Sequence, residues 1–261
     1  MKAEKQVKEQ ARAALKGNWT VVLAAAGVTF AAFMLAQVVI SVLLIAFQDV
    51  DFNTGEVRDA ESPAYLATAF GGVLLMLAGS PLLNGFFKTA ANVAVKKDCQ
   101  ITDVFFYFRG AGRYFRTVLI NLLLYLLFAF TFGVLNVSRY LEALFPDWFK
   151  DVSVLTPEGA AVIAAGVVSG LIGALMYMLF VHWPLMYYAL HDDATIGKTV
   201  FGTLGFSFRH FGKTLRLALS FAGWLALCFF VVPAFYVLPY FSVSAVLSAK
   251  WLFALEPGGA A

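Results

Sequence analysis

The stretch that decides the fold is WTVVLAAAGVTFAAFMLAQVVISVLLIAFQ, residues 19–48, which contains no Asp, Glu, Lys or Arg. Its 30 residues are too many for the apolar core of a signal peptide, which has about 7–15. They are enough for a transmembrane helix, which needs about 20. We therefore predict that this stretch is a first span that is retained in the protein.

The composition of the whole chain agrees with a membrane protein. Of its 261 residues, 61% are hydrophobic and 13% are charged, whereas a soluble domain carries about 25% charged residues. Lipid is the partner that this composition predicts. A net charge of +3 gives no basic field of the kind that indicates nucleic acid. Cys99 and Cys228 lie in different settings and predict neither a disulfide nor a metal site.

Four more charge-free runs predict further spans: Ser62–Phe87, Thr117–Ser138, Gly159–Leu190 and Leu217–Ala249. Extended to Leu255, the last run has 39 residues, about 58 Å as one helix. Because prolines disfavour helix before them, Pro233 and Pro239 predict a turn near Pro233–Tyr240 and two short spans. This gives six spans; one long last span, and five in total, is the alternative.

Charge placement predicts the orientation. Residues 1–18, 88–116, 191–216 and the tail from Lys250 hold 16 Lys and Arg and 7 Asp and Glu. The loops 49–61 and 139–158 hold 3 basic and 9 acidic residues. By the positive-inside rule both ends of the chain are cytoplasmic. Loop 139–158 also predicts a short amphipathic helix on the outer surface.

Two basic segments align at an offset of 100 residues. Phe108-Arg109 matches Phe208-Arg209, and Gly112-Arg113 matches Gly212-Lys213. A weaker third copy lies around Gly17. We therefore predict an all-α, polytopic membrane helix bundle of six transmembrane helices in three repeated hairpins. It is one integral membrane domain, 1–261, with repeats at about 1–95, 96–190 and 191–261.

The basic segments are amphipathic and predict helices in the cytoplasmic interface. In the third segment, Ile196, Val200, Leu204 and Phe208 recur at helical spacing. Two interpretations remain open at this point. The segments are flanks that fix topology, which we favour, or they form a platform for a cytoplasmic or lipid partner.

Several motifs carry a resemblance to a known family. These are Ala-Leu-Lys-Gly-Asn-Trp at 14–19, Trp-Pro-Leu-Met-Tyr-Tyr-Ala-Leu at 183–190, Leu-Ser-Phe-Ala-Gly-Trp at 219–224 and Pro239-Tyr240. In this order the chain resembles the bacterial membrane family known as domain of unknown function 975. The resemblance covers nearly the whole chain and implies six spans in the plasma membrane of a bacterium. It implies no activity, and Phe-Gly-Lys-Thr at 211–214 departs from the usual pattern.

Polar residues and helix breakers inside the spans are the remaining candidates. His182 is an ionisable group at membrane depth, a default functional hypothesis, although its place near an interface favours a structural role. Gly79-Ser80-Pro81 and Pro184 predict kinks. His191, Asp192 and Asp193 are too few for a metal site. We expect Asp192 or Asp193 to cap the next helix instead.

These observations predict no enzyme, no cofactor and no metal. The favoured function is an accessory, scaffold or protective, immunity-like subunit that binds another membrane protein or a membrane-active peptide. The alternative is a small passive transporter or channel for a lipid or apolar solute. The oligomeric state is not predicted. The candidate partner-binding or structural residues are Gly17, Asn18, Trp19, Gly112, Arg113, His182, Pro184, Gly212, Lys213, Pro239 and Tyr240.

Overall fold

A computed structural model describes residues 2–46, 63–95, 98–149, 156–227 and 233–255. Every regular element in these residues is helical, which confirms the all-α prediction. The α-helices are α1 (Lys2–Leu15), α2 (Trp19–Ala46), α3 (Pro63–Gly79), α4 (Pro81–Ala94), α5 (Ala111–Leu135), α6 (Val137–Leu144), α7 (Pro157–Tyr177), α8 (Trp183–Leu190), α9 (Ile196–Val200), α10 (Gly202–Leu219), α11 (Ala222–Leu227) and α12 (Ala234–Ala254). Two 3-10 helices cover Ile101–Phe108 and Pro146–Phe149, and a π-helical turn covers Met178–His182.

Five helical stretches among the described residues are long and apolar enough to cross a membrane. They are Trp19–Ala46, Tyr65–Ala94, Ala111–Leu135, Pro157–Leu190 and Phe235–Ala254. This supports a multi-pass protein in a lipid bilayer. The first four correspond to the first four charge-free runs.

Two of these stretches are interrupted where the sequence predicts kinks. Ser80 separates α3 from α4, and Pro81 is the first residue of α4, where its missing N–H leaves no hydrogen bond unmade. The π-helical turn Met178–His182 joins α7 to α8 directly before Trp183 and Pro184. The α-helical hydrogen-bond pattern is thus interrupted at both places, and whether the axis also bends there stays a prediction.

One end of the bundle collects the basic segments, and we call it the basic end. Here α2 begins at Trp19, α4 ends at Ala94, α5 begins at Ala111 and α8 ends at Leu190. α1 packs against α12 and α4 at this end. The 3-10 helix Ile101–Phe108 packs along α4, where Val104 meets Gly85.

The helix α12 lies across the basic end. The ring of Tyr236, near its start, stacks on Trp19 with centroids 4.9 Å apart. The ring of Phe253, near its end, packs against Tyr187 at 5.3 Å and against His191 at 6.2 Å. About 26 Å of helix separates Tyr236 from Phe253, yet both contact basic-end residues. Accordingly, 61% of the apolar stretch of α12 is buried, against 6–22% of the corresponding stretch in each of the other four candidate spans.

The core is concentrated at the basic end. Its largest fully buried side chains include Tyr107, Trp183, Tyr188 and Phe221. Towards the opposite end, α2, α3, α5 and α7 expose large apolar side chains along their length, such as Phe30, Leu66, Phe130 and Leu171. The bundle is therefore tightly packed at one end and open at the other.

The last apolar run is divided differently from the prediction. The predicted turn at Pro233–Tyr240 is wrong for residues 234–240, because Pro233 is a turn but α12 begins at Ala234 and contains Pro239. Pro239 is the sixth residue of α12, so it lacks the N–H that would donate to the Phe235 carbonyl, and the helix nevertheless continues through it. α10 ends at Leu219 and α11 has only six residues. The described residues do not include the loop 49–61 or residues 228–232, among them Cys228. Within the described residues there are five candidate spans. A threefold repeat is not shown there.

Candidate functional site

An apolar cavity of about 540 Å³ lies in the open half of the bundle. Its walls come from α2, α3, α5 and the segment around the π-helical turn. Most of the lining is apolar, with Gln37, Tyr125 and Tyr177 among the polar exceptions. The volume falls within the roughly 300–1,000 Å³ of ligand pockets. The shape of the site is therefore suited to an apolar molecule.

The cavity follows α3 from Ala69 to Ser80. These eleven steps of helix measure about 17 Å, which is about half of the ~30 Å hydrocarbon core of a bilayer. Gly72 lies on this wall, and a Cβ atom there would approach Cδ1 of Ile40 to 3.1 Å. The cavity is thus as long as one leaflet is deep.

A group of hydrogen-bonded polar side chains lies at mid-span, and two of them, Ser80 and Asn121, line the cavity. Nδ2 of Asn121 donates to Oγ of Ser80 at 2.9 Å and to Oδ1 of Asn84 at 2.8 Å. Oγ of Ser80 donates to the Leu77 carbonyl at 2.7 Å. Asn84 is only 1% exposed, and its Nδ2 has no hydrogen-bond partner among the described residues. The break between α3 and α4 lies at this contact between Ser80 and α5.

A buried ion pair lies between this polar floor and the basic end. Lys88 of α4 is 6% exposed. Its Nζ donates to Oδ1 and Oδ2 of Asp192 at 2.5 and 2.6 Å, and lies 5.1 Å from the ring centroid of Phe106. A buried ammonium group requires such a partner. The pair ties α4 to the segment that follows α8.

Hydrogen bonds extend the ion pair to α5 and to the 3-10 helix. Nη2 of Arg116 donates to the Asp192 carbonyl at 2.6 Å, and Nε donates to Oη of Tyr188 at 3.3 Å. Oη of Tyr107 donates to the Tyr188 carbonyl at 3.1 Å, and the two rings stack at 4.9 Å. Burial raises the pKa of Tyr107 well above its usual value, so this hydroxyl is a donor at neutral pH. The network holds four elements together.

The predicted motif Gly17-Asn18-Trp19 forms the turn between α1 and α2. Gly17 has a positive φ of 87°, which favours glycine. Nδ2 of Asn18 donates to the Ala14 carbonyl at 3.4 Å. Trp19 contacts Tyr236, so this motif packs against α12 and does not line the cavity along α3.

The residues paired by the offset of 100 lie in different settings. Gly112 and Arg113 are in the first turn of α5, and Arg113 lies 4.2 Å from the Phe106 ring centroid. Gly212 and Lys213 are inside α10, and Lys213 lies 6.0 Å from the Trp251 ring centroid. The equivalence of these glycines stays a prediction.

The other predicted residues are distributed over the core of the basic end. His182 is buried beside Trp183, with ring centroids 5.4 Å apart, and Pro184 is the second residue of α8. Tyr240 is buried on α12 with Pro239 beside it. None of the eleven lines the cavity.

The interpretation of residues 191–193 needs a correction. Neither aspartate caps the next helix: Oγ1 of Thr195 accepts a hydrogen bond from the Lys198 amide and is the N-cap of α9. The described residues contain no group of three or more His, Cys, Asp and Glu that could hold a metal ion.

Sequence reasoning did not single out Lys88 as a site residue. It directly follows the charge-free run that ends at Phe87, a position normally read as solvated. A lysine so close to a span was the available signal. Asn84 and Asn121, as polar residues within spans, were a similar signal for the polar floor.

Comparisons with known proteins add no assignment. No family model, curated protein or solved structure matches this chain.

Proposed function

We propose that this chain is a non-catalytic integral membrane protein that holds one hydrocarbon chain of a lipid from the outer leaflet. The observation that carries the proposal is the cavity along α3, as long as one leaflet and lined mainly by apolar side chains. The surroundings of such a site are lipid tails, so a hydrocarbon chain is the occupant for which the apolar lining is suited.

Binding is favoured over passive transport because the lining of the cavity ends at Leu83 of α4 and Leu185 of α8 and does not reach the basic end. Ser80 and Asn121 line it at mid-span, and Asn84 is hydrogen-bonded to Asn121. Beyond them lie the ion pair Lys88–Asp192 and the fully buried Tyr188. A passive path for a lipid or apolar solute needs a continuous opening to the basic end, and this half of the bundle is filled.

The topology that we propose has both ends of the chain in the cytoplasm of a bacterium. The charge bias supports this orientation. Four spans cross the bilayer, and α12 lies along the cytoplasmic side, in place of the predicted fifth and sixth spans. This is supported by Phe221 and Tyr240, whose ring centroids lie 5.1 Å apart, so the start of α12 and the residues after α10 meet at the basic end. Membership in the family known as domain of unknown function 975 also stays a proposal, supported by the order of its motifs.

The test compares two alanine-to-phenylalanine variants. Ala69→Phe fills the cavity, whereas Ala164→Phe adds the same ring to an exposed position of α7. Native mass spectrometry of the protein in mild detergent counts the lipids that stay bound. We expect one retained lipid in the unchanged protein and in Ala164→Phe, and none in Ala69→Phe. Equal retention by both variants would sink the proposal.

A second candidate is protection against, or contact with, a membrane-active peptide or another membrane protein. The outer-end helix α6 favours it, because Tyr140, Leu144 and Phe145 are exposed there and Phe145 stacks on Trp148 at 4.4 Å. The test is the survival of cells that express the chain when they meet a pore-forming peptide. Loss of any protection in Leu144→Asp, with Ala69→Phe still protective, would favour this candidate over lipid binding.

A further inference from the structure

A second cavity, of about 480 Å³, opens at the basic end between α1 and the start of α12. Four cations line it: Lys5, Lys8, Arg12 and Arg216. Two carboxylates, Glu4 and Glu9, share the lining. We refer to this cavity as the cationic groove.

The positive charge of the cationic groove is only partly neutralised. Oε1 of Glu4 accepts from Nε of Arg216 at 3.1 Å. Lys8 and Arg12, one turn apart on α1, form no ion pair within the described ranges. Burial, and then repulsion from Arg12, lower the pKa of Lys8. Two neighbouring cations are thus held together without a direct ion pair, with Glu4 acting on Lys8 at longer range.

Aromatic rings fix both cations in place. Nζ of Lys8 lies 4.2 Å from the ring centroid of Phe221 and donates to the Ser220 carbonyl at 2.8 Å. The guanidinium of Arg12 lies 5.2 Å from the ring centroid of Tyr240. Such contacts orient a cation but leave its charge in place. An anion that reaches both side chains meets a preformed pair of donors.

The groove lies at the level of lipid headgroups. Tyr240 and the stacked Trp19 and Tyr236 stand beside it, and Trp and Tyr prefer the membrane–water interface. The proposed orientation places this end in the cytoplasm, where leaflets carry anionic lipids. An Arg beside a Lys is also suited to the oxygens of a phosphate group.

We propose that Lys8 and Arg12 bind the phosphate of an anionic phospholipid in the cytoplasmic leaflet. This site is separate from the cavity along α3 and does not depend on the function proposed for it. The lipid is recognised by its headgroup here, whereas the other site is occupied by a hydrocarbon chain whatever its headgroup.

The test measures lipid selectivity with the full chain in bilayers of phosphatidylcholine. Spin-labelled phosphatidylglycerol and phosphatidylcholine report their relative association constants. At about a fivefold effect for each cation near the surface, the variant Lys8→Gln/Arg12→Gln is expected to lose roughly 25-fold in preference for phosphatidylglycerol at the specific site. The variant Lys8→Arg/Arg12→Lys keeps both charges and is expected to keep the preference.

The matched control is Lys16→Gln/Lys250→Gln, which removes the same charge at two exposed positions outside the groove. It is expected to leave the preference within twofold of the unchanged protein. An equal loss in this control would overturn the site, since the effect would then be general attraction. Displacement of phosphatidylglycerol by low-millimolar inorganic phosphate would overturn a lipid as the ligand.

Discussion

Lys88 of α4 and Asp192, which follows α8, form an ion pair although 104 residues separate them in the chain. The pair joins the second and fourth membrane stretches at the place where both leave the open half of the bundle. It therefore lies between the cavity along α3 and the packed core of the basic end.

Removing one partner of this pair is expected to destabilise the fold. Asp192→Ala leaves the Lys88 ammonium buried without a counter-charge. Loss of a fully buried partner costs roughly 3–5 kcal/mol. Since the Asp192 side chain is 28% exposed, we expect about 2–3 kcal/mol, a reduced figure from the same principle. Thermal unfolding in detergent measures the change in melting temperature.

Two variants accompany this experiment. Asp193→Ala removes the neighbouring carboxylate, which is exposed, and is expected to change the melting temperature little. Lys88→Leu/Asp192→Leu removes both charges and is expected to be more stable than Asp192→Ala alone. If Asp193→Ala unfolds as early as Asp192→Ala, the ion pair is not the cause.

Gly85 is expected to tolerate no side chain. A Cβ atom there would lie 1.8 Å from the Val104 carbonyl oxygen, which is backbone and cannot rotate away. Gly85→Ala is therefore expected to push the 3-10 helix from α4 and to cost about 1–3 kcal/mol. Gly71→Ala, in α3, has open space within 4 Å and is expected to be neutral or to stabilise the helix by up to about 1 kcal/mol. Denaturation of both variants in parallel measures the difference.

The Cys99 thiol is expected to react slowly at neutral pH. Burial, with the nearby charge of Asp103, raises its pKa from 9.0 to about 11. Since the thiolate is the nucleophile, alkylation by iodoacetamide should rise with pH until about pH 11 instead of levelling near 9. Asp103→Asn should shift this curve to lower pH. The experiment uses a Cys228→Ala background, and a plateau near pH 9 would contradict the pKa assignment.

The course of α12 can be tested by labelling from each side of the membrane. In a background with both native cysteines replaced, Phe235→Cys and Lys250→Cys place a thiol near each end of the helix. Because both ends contact basic-end residues, we expect a membrane-impermeant maleimide to label both from the cytoplasmic side. Labelling of one position from outside and the other from inside would show instead that α12 crosses the bilayer.

The parts of the fold that follow local rules could be predicted. The absence of charge over 19–48 and the next three runs located the long apolar helices, because desolvated charge is costly in lipid. Gly79-Ser80-Pro81 located a helix break from backbone chemistry alone. The turn predicted from Pro239 was wrong because a proline near the start of a helix and a proline in a turn look alike in sequence.

The site depends on contacts that no local pattern contains. Lys88 and Asn84 are distinguished by their partners, Asp192 and Asn121, and a single sequence carries no signal for which distant residues meet. The cavity exists because the side chains of α2, α3 and α5 leave space between these helices. Small residues such as Ala69 and Gly72 are consistent with such a space but also with close helix packing.

The contact between α1 and the region around α12 has a consequence for biosynthesis. Lys8 and Ser220 are 212 residues apart, a length that a ribosome needs roughly 10–40 s to translate at about 5–20 residues per second. The early spans therefore reach the membrane well before α12, whose side chains complete their packing at the basic end. During that interval their inner aromatic surface is accessible to lipids and to the insertion machinery, so a slowed or stalled ribosome would expose it for longer.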